Sequence, residues 1–277
     1  MLFAAVWWTS SPSICRHENP TSNARLSSQS QQSLSFVDRR DFNPYGDRIG
    51  IMGDMGNHAH VSFWTRDRAP ETMLDRFGRF LETFPLSASR RGFTSLTIRA
   101  VDPAETPLLE QDLRGIKASA SDVIAVVREH DSADCSYEIE AYWDMWQRSL
   151  ETGAWQNGPE RVLLICNGRS YDDGVADSSG DFLADVGLEH FFTGHAGLLG
   201  AYSTPRPPSD PVEAEFLSWM MNDERLHEYY EKTRANIQVL LNWVGAVEKA
   251  LPLERHLLWS EGEENLEARL DEILAVH

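Results

Sequence analysis

The chain has 277 residues, of which 42% are hydrophobic and 10% aromatic, so it can bury a core without disulfides or structural metals. It carries 25 Lys and Arg residues against 43 Asp and Glu residues, which gives a formal net charge of −18. A field of that sign repels phosphate backbones and anionic lipid headgroups, so nucleic acids and membrane surfaces are poor partners.

Residues 1–56 begin with a short apolar run and continue as a stretch rich in Ser, Gln, Asn and Pro. The apolar run is too short to span a bilayer and lacks the basic residues that precede a secretory signal. The remaining composition cannot offset its own ordering entropy, so we predict a disordered or non-core N-terminal segment over 1–56. The three widely spaced cysteines include no CxxC pair, which favours a reducing compartment and a cytoplasmic protein.

An α+β sheet domain is predicted over residues 57–204. The run HAHVSFWTR at 58–66 alternates between apolar and polar residues, which predicts a strand with Ala59, Val61 and Phe63 on its inner face. An apolar stripe from Pro70 to Phe84 predicts a helix, with the proline in its first turn. Alternation returns at 93–101, so the region reads as a β-α-β unit.

Further elements follow along the same domain. Ser119 or Ser121 can cap a second helix. The run RVLLIC at 161–166 is apolar on both faces, which is typical of a central strand. Another strand is predicted near 182–192, with a bulge at Gly187. The fold class predicted from these elements is α+β, a mixed β-sheet covered by helices.

A C-terminal helical region packed on the sheet domain is predicted over residues 205–277. The run PRPPSDP at 205–211 breaks all periodicity and marks a boundary. Apolar residues then recur at steps of four and three along a helix at 223–251. The sequence SEGE at 260–263 has the spacing of a capping box for a last helix. The apolar seam of the 223–251 helix either covers the chain's own sheet or joins two copies in a homodimer.

The segment at 170–190 is rich in aspartate and raises the question of a metal site. An EF-hand loop starting at Asp177 would place Phe182 and Leu188 at positions six and twelve, so that class of calcium site is excluded. A looser site for a divalent metal remains open, and a solvated turn is the competing interpretation. His58 and His60 share one strand face, as in metal hydrolases with an H-x-H strand. The candidate metal ligands are His58, His60, Asp172, Asp173, Asp177, Asp181 and His190.

A second group of candidates lies on the predicted strand YEIEAYW at 137–143, whose alternation places Ile139 and Trp143 on the buried face. Glu138 and Glu140 point to the same face, so they could act as acid and base in glycoside cleavage if burial raised the pKa of one of them. Together with Tyr142, Trp146 and Trp155 they could instead line a groove for a cationic or peptide ligand.

The sequence contains no GxSxG elbow, GxxxxGK[ST] loop or GxGxxG turn. We therefore predict an acidic protein-binding module without catalytic activity or cofactor, of the immunity, inhibitor or adaptor class, whose partner has a basic surface. One alternative is a metal-dependent hydrolase that uses His58, His60 and the 172–190 segment. The other alternative is a structural subunit that assembles through the 223–251 helix.

Overall fold

The computed structural model describes residues 56–149, 153–195, 198–199, 208 and 211–276. The strands are β1 His58–Thr65, β2 Ser95–Ala100, β3 Leu109–Asp112, β4 Cys135–Arg148, β5 Trp155–Asn167, β6 Phe182–Leu188 and β7 Leu253–Ser260. The helices are α1 Pro70–Thr83, α2 Ala120–Val127, α3 Ala176–Ser179, α4 His190–Thr193, α5 Pro211–Met220, α6 Asp223–Ala250 and α7 Leu266–Ala275. Short 3₁₀ turns lie at Arg128–His130 and Tyr171–Gly174.

The seven strands form one sheet in the order β3-β2-β4-β5-β6-β1-β7. The predicted α+β class and the central position of the RVLLIC strand are confirmed. The prediction of a mixed sheet is wrong, because every neighbouring pair of described strands is antiparallel. The β-α-β unit exists, since β1 and β2 run in the same direction on either side of α1. However, β6, β5 and β4 lie between them, so the two strands do not pair.

The main core lies between one face of the sheet, the inner face, and helices α1, α2, α4, α6 and α7. The predicted inner residues of β1, namely Ala59, Val61 and Phe63, are completely buried. Phe63 packs edge-on against Trp243 of α6 at a ring-centroid distance of 5.8 Å. Each fully buried aromatic side chain contributes roughly 2–3 kcal/mol, so this layer supplies much of the driving force for folding.

The opposite face of the sheet, the outer face, carries a second and smaller apolar cluster of Leu163, Ile165 and Leu183 beside the half-buried Trp259. Helices α1, α2, α4, α6 and α7 all pack on the inner face, and Met220 of α5 adds to the same core. The side chains between these apolar residues on the outer face are polar or charged, as the period-two alternation predicts. Most of the candidate site residues belong to this face.

The apolar seam predicted for the C-terminal helix is confirmed as part of the chain's own core. Thr233, Ile237, Leu240, Val244 and Val247 of α6 are all buried. Because these side chains pack inside the chain, they are not available as an interface for a second copy. The described residues all belong to one compact unit.

Two details of the C-terminal region differ from the prediction of a purely helical segment. Residues 253–260 form the edge strand β7, which pairs with β1. Ser260 ends this strand, and its Oγ accepts a hydrogen bond from the Glu263 N–H at 2.9 Å in a turn. The last helix is capped instead by Asn265, whose side chain accepts a hydrogen bond from the Ala268 N–H.

The bulge predicted at Gly187 is confirmed. Gly187 has φ 93°, and two residues of β6, Val186 and Gly187, oppose the single Ala59 of β1 where the register shifts between His58 and His60. The strand ends at Leu188, earlier than predicted, and His190 begins α4. Ser119 caps α2 and forms a capping box with Asp122.

Two predictions lie outside the described residues. These are the N-terminal segment at 1–55 and most of the boundary at 205–211. Within the part of the chain that the structure describes, no helix combines the length and the apolar character needed to cross a membrane.

Candidate functional site

The aspartates of the 170–190 segment serve separate purposes in the structure. Asp181 is buried and its Oδ2 accepts hydrogen bonds from the backbone N–H of Thr65 at 2.7 Å and from the Thr65 hydroxyl at 2.9 Å. Arg68 pairs with both Asp181 and the exposed Asp177. These carboxylates therefore connect the turn after β1 to the segment before β6 through hydrogen bonds with Thr65 and ion pairs with Arg68.

His58 and His60 lie on the outer face at the other end of β1. His58 Nδ1 donates to Asp185 Oδ1 at 2.8 Å. Burial acts to raise the pKa of Asp185, but the hydrogen bond from His58 and the nearby His60 outweigh it and hold that pKa below its usual value. His60 stacks on Trp259 at a centroid distance of 4.1 Å, and its Nε2 lies 4.0 Å from Glu261 Oε1.

The candidate metal ligands are not brought together. Asp181 and Asp185 are four residues apart on an extended segment, a distance of roughly 13 Å. The His58–Asp185 contact and the contacts of Asp177 and Asp181 with Arg68 therefore lie at opposite ends of β6. His190 lies in α4, its ring centroid 4.1 Å from that of His195, and burial followed by the proximity of His195 lowers its pKa to about 3. Among the described residues, no three His, Cys, Asp or Glu side chains are placed to hold a metal ion.

Glu138 and Glu140 share the outer face as predicted, and each is paired with an arginine of a neighbouring strand. Arg99 Nε donates to Glu138 at 3.1 Å, and Arg161 Nε donates to Glu140 at 2.7 Å. Burial raises the pKa of Glu138 despite Arg99. Burial also acts to raise the pKa of Glu140, but the hydrogen bonds from Arg161 and from the Thr94 hydroxyl outweigh it and lower that pKa.

The aromatic residues of the predicted groove do not form one surface with Glu138 and Glu140: Tyr142 and Trp146 each stack on a basic side chain, and Trp155 packs against α6. The Arg90 guanidinium lies 4.4 Å from the ring centre of Tyr142. Trp146 has the Lys232 ammonium 3.5 Å from its ring centre, and Trp155 packs against Tyr229 of α6 at 5.5 Å. The five predicted groove residues therefore divide between the outer face and the α6 side of the β4–β5 hairpin.

A different group of acids meets at the end of the sheet where β2 ends and β4 begins. We call it the acidic end and define it as Val101, Asp102, Asp134, Asp172 and Asp173. The Val101 N–H donates to the Asp134 carbonyl at 2.9 Å, and the Asp172 N–H donates to the Val101 carbonyl at 2.7 Å. These two bonds bring three acidic segments, remote in sequence, around one valine.

The backbone of the acidic end has an unusual conformation. Val101 has φ 71°, Asp172 has φ 47° and Asp173 has φ 52°. The left-handed region is a genuine outlier for a β-branched residue, whereas aspartate visits it more readily. The Val101 side chain is also 58% exposed, so its burial does not explain its presence there.

The carboxylates of the acidic end have no basic side chain in salt-bridge contact within the described part of the chain. Partial burial raises the pKa of Asp172, and the neighbouring charges of Asp102 and Asp173 raise it further. Like charges held together without a counter-charge destabilise their own ionised form, so this surface attracts positive charge. The sequence offered a signal only for Asp172 and Asp173, because Val101, Asp102 and Asp134 join them through the sheet topology.

Comparison with protein-family models, curated proteins and solved structures found no match for this chain.

Proposed function

We propose that this protein is a binding module without catalytic activity, and that its acidic end contacts a basic surface of a partner protein. The single observation that carries the proposal is the exposed Val101, beside which the carboxylates of Asp102, Asp172 and Asp173 lie close enough to repel one another and lack a cationic partner among the described residues. A partner that covers an exposed apolar side chain removes it from water, and complementary charge around that side chain steers association. The acidic end combines these two features.

The acidic residues of the outer face are a less suitable binding site than the acidic end, because they already have partners within the chain. Glu138, Glu140 and Asp185 on the outer face are each bonded to Arg99, Arg161 and His58, respectively. A basic partner would have to displace these internal partners, which are partly buried, whereas at the acidic end it would supply a missing charge. The predicted groove on the outer face is therefore the weaker location for such a partner.

The two alternatives have less support. The metal-dependent hydrolase needs ligands from His58, His60 and the 172–190 segment together, and the structure separates them along the length of β6. The structural subunit needs the seam of the 223–251 helix to be exposed, and that seam is buried within the chain.

A labelled oligolysine peptide tests the proposal, with affinity measured by fluorescence anisotropy over a range of salt concentrations. The double variant Asp172→Asn, Asp173→Asn removes two charges from the acidic end and keeps side chains that tolerate positive φ. Its matched control is Glu264→Gln, Glu267→Gln, which removes two exposed charges beside α7. Both variants change the net charge equally, so non-specific attraction falls equally.

We expect the first variant to weaken peptide binding about tenfold at low salt, equivalent to two pairings of roughly 0.7 kcal/mol each. The control should change the affinity less than threefold. Equal losses in the two variants would mean that the peptide senses only the net charge, and the acidic end would then have no special role. Thermal unfolding of each variant confirms that it is folded.

A further inference from the structure

A small cavity lies at the N-terminal end of α1 and has no role in the proposed partner contact. Its volume is about 60 Å³, and Arg68, Arg76 and Arg169 contribute to its wall. A water molecule needs roughly 10–15 Å³ on this measure, so the space holds a few non-hydrogen atoms. The apolar part of the wall includes Met73, Ala133, Ala176 and Phe182.

The charged side chains around the cavity are equal in number but unevenly paired. Three arginines face Asp131, Asp177 and Asp181 in the wall, so the formal charges cancel. Asp177 and Asp181 are both paired with Arg68. Arg76 and Arg169 therefore keep guanidinium groups that these two carboxylates do not use.

Neither remaining arginine has a carboxylate partner among the described residues. Arg76 Nη1 donates to the carbonyl oxygens of Arg66 at 2.8 Å and Asp67 at 2.9 Å and to the Thr65 hydroxyl at 3.1 Å. Arg169 donates from one terminal nitrogen to the carbonyl of Arg68. A guanidinium has five N–H donors and prefers a planar, two-oxygen acceptor, so each retains donors suited to a carboxylate.

The start of α1 adds to the positive potential at this point. Its N-cap residue, Ala69, lines the cavity and provides no side-chain hydrogen bond to the first turn. The unpaired N–H groups at a helix N-terminus favour negative charge. This contribution supports the arginines and does not replace them.

We propose that the cavity binds one carboxylate that carries a short apolar substituent, with Arg76 and Arg169 as the recognising groups. A carboxylate presents two oxygens in one plane, which suits the N–H donors that Arg76 and Arg169 retain. The Met73 and Phe182 side chains suit two or three carbon atoms. The carboxylate comes either from a free short-chain acid or from the C-terminus of a peptide. The two sources share this chemistry.

The test uses the full chain and measures the thermal midpoint during titration with sodium butyrate, at an ionic strength kept constant with chloride. Butyramide has the same shape without the charge, and inorganic phosphate has more charge without the apolar part. A peptide with a free C-terminus and its amidated form make up the second arm. A ligand that binds only the folded state stabilises it by RT ln(1 + [L]/Kd), so the midpoint rises with ligand concentration and the dependence gives the dissociation constant.

Two variants test whether the carboxylate binds in this cavity. Arg169→Gln removes one recognising group, and Ala133→Leu narrows an exposed part of the wall without changing the charge. Arg114→Gln is the control, because Arg114 is 75% exposed and lies on the far edge of the sheet beside β3. We expect the dissociation constant for the carboxylate to rise at least tenfold in the first two variants and less than twofold in the control.

A shift with butyrate alone identifies a free acid as the ligand, and a shift only with the free-ended peptide identifies a chain terminus. Equal shifts with butyrate and butyramide would overturn the proposal, and so would the absence of a shift with any carboxylate. Equal loss in Arg169→Gln and Arg114→Gln would also overturn it, since the effect would then come from net charge. None of these results depends on whether the acidic end binds a protein.

Discussion

Asn236 provides the most direct test of how the helical layer is attached to the sheet. It lies in the middle of α6 and is only 2% exposed. Its Oδ1 accepts a hydrogen bond from the Trp146 N–H at 2.8 Å. Its Nδ2 donates to the Trp146 carbonyl at 2.9 Å and to the Phe191 carbonyl at 3.1 Å. One side chain therefore satisfies three backbone groups on β4 and α4.

Replacing Asn236 with Ala leaves those three groups without partners. At roughly 1–1.5 kcal/mol for each unsatisfied buried group, the loss is about 3–4 kcal/mol, and the higher helix propensity of Ala returns roughly 0.5 kcal/mol. We expect a net loss of about 3 kcal/mol in the free energy of unfolding. Urea denaturation followed by tryptophan fluorescence measures this quantity, and the midpoint should fall by roughly 1 M.

Asn242→Ala is the matched control, because it makes the same substitution in the same helix at an exposed position. Its effect should stay within about 0.5 kcal/mol. Asn236→Leu separates hydrogen bonding from packing, since it restores the volume but leaves the three backbone groups unsatisfied. A difference below about 1 kcal/mol between the two alanine variants, or a leucine variant as stable as the parent chain, would refute the reasoning.

Three further predictions concern other parts of the fold. Because the pKa of His190 falls from 6.5 to about 3 on folding, the folded state binds fewer protons, and stability should drop by about 2 kcal/mol between pH 8 and pH 5. Unfolding measured at both pH values should show this dependence reduced in His190→Gln, and an unchanged slope would contradict it. Gly168→Ala should cost about 2 kcal/mol in a denaturation experiment, because a Cβ there would lie against the Ala133 carbonyl oxygen, whereas Gly115→Ala has open space and should change little. Val101→Asn should raise the free energy of unfolding by about 1 kcal/mol, since φ 71° suits Asn better than a β-branched residue. A destabilised variant in the same denaturation experiment would show that the valine is not strained.

The inner face of the sheet could be predicted from the sequence because burial on one side of a strand imposes a period of two. The pattern in β1 and β4 placed Ala59, Phe63, Ile139 and Trp143 correctly, and all four are completely buried. The α6 seam followed from the helical period for the same reason. These are local consequences of a strong hydrophobic driving force.

Strand β7 was missed because its sequence, LERHLLWS, does not alternate cleanly. It is an edge strand, with Glu254 and Arg255 exposed and Leu257 46% exposed, so burial imposes little pattern on it. The order of the strands was also out of reach, since it depends on contacts between segments far apart in the chain. The insertion of β4, β5 and β6 between β1 and β2 has no local signal.

The roles of the charged residues were the hardest to predict, because their partners are remote in sequence. Asp181 bonds to Thr65, which precedes it by 116 residues, and Asp185 bonds to His58 at a separation of 127 residues. A cluster of acids in the sequence therefore says little about a cluster in space. The positive φ of Val101 has no sequence signal at all, because local propensity disfavours it.

The contrast between the paired and unpaired acids explains why the acidic end is the better candidate for recognition. Carboxylates such as Glu140 and Asp185 are each held in place by a side chain of a neighbouring strand, Arg161 and His58 respectively. Asp172 has no such partner among the described residues, and partial burial, followed by the charges of Asp102 and Asp173, raises its pKa, so its ionised form costs the folded chain free energy. A docked lysine or arginine would remove that cost without breaking an internal contact. In the unbound chain, repulsion between Asp172 and the neighbouring carboxylates opposes folding, and a basic partner relieves that repulsion when it binds. Neutralising Asp172 should therefore leave the chain no less stable while it weakens the attraction for a basic partner.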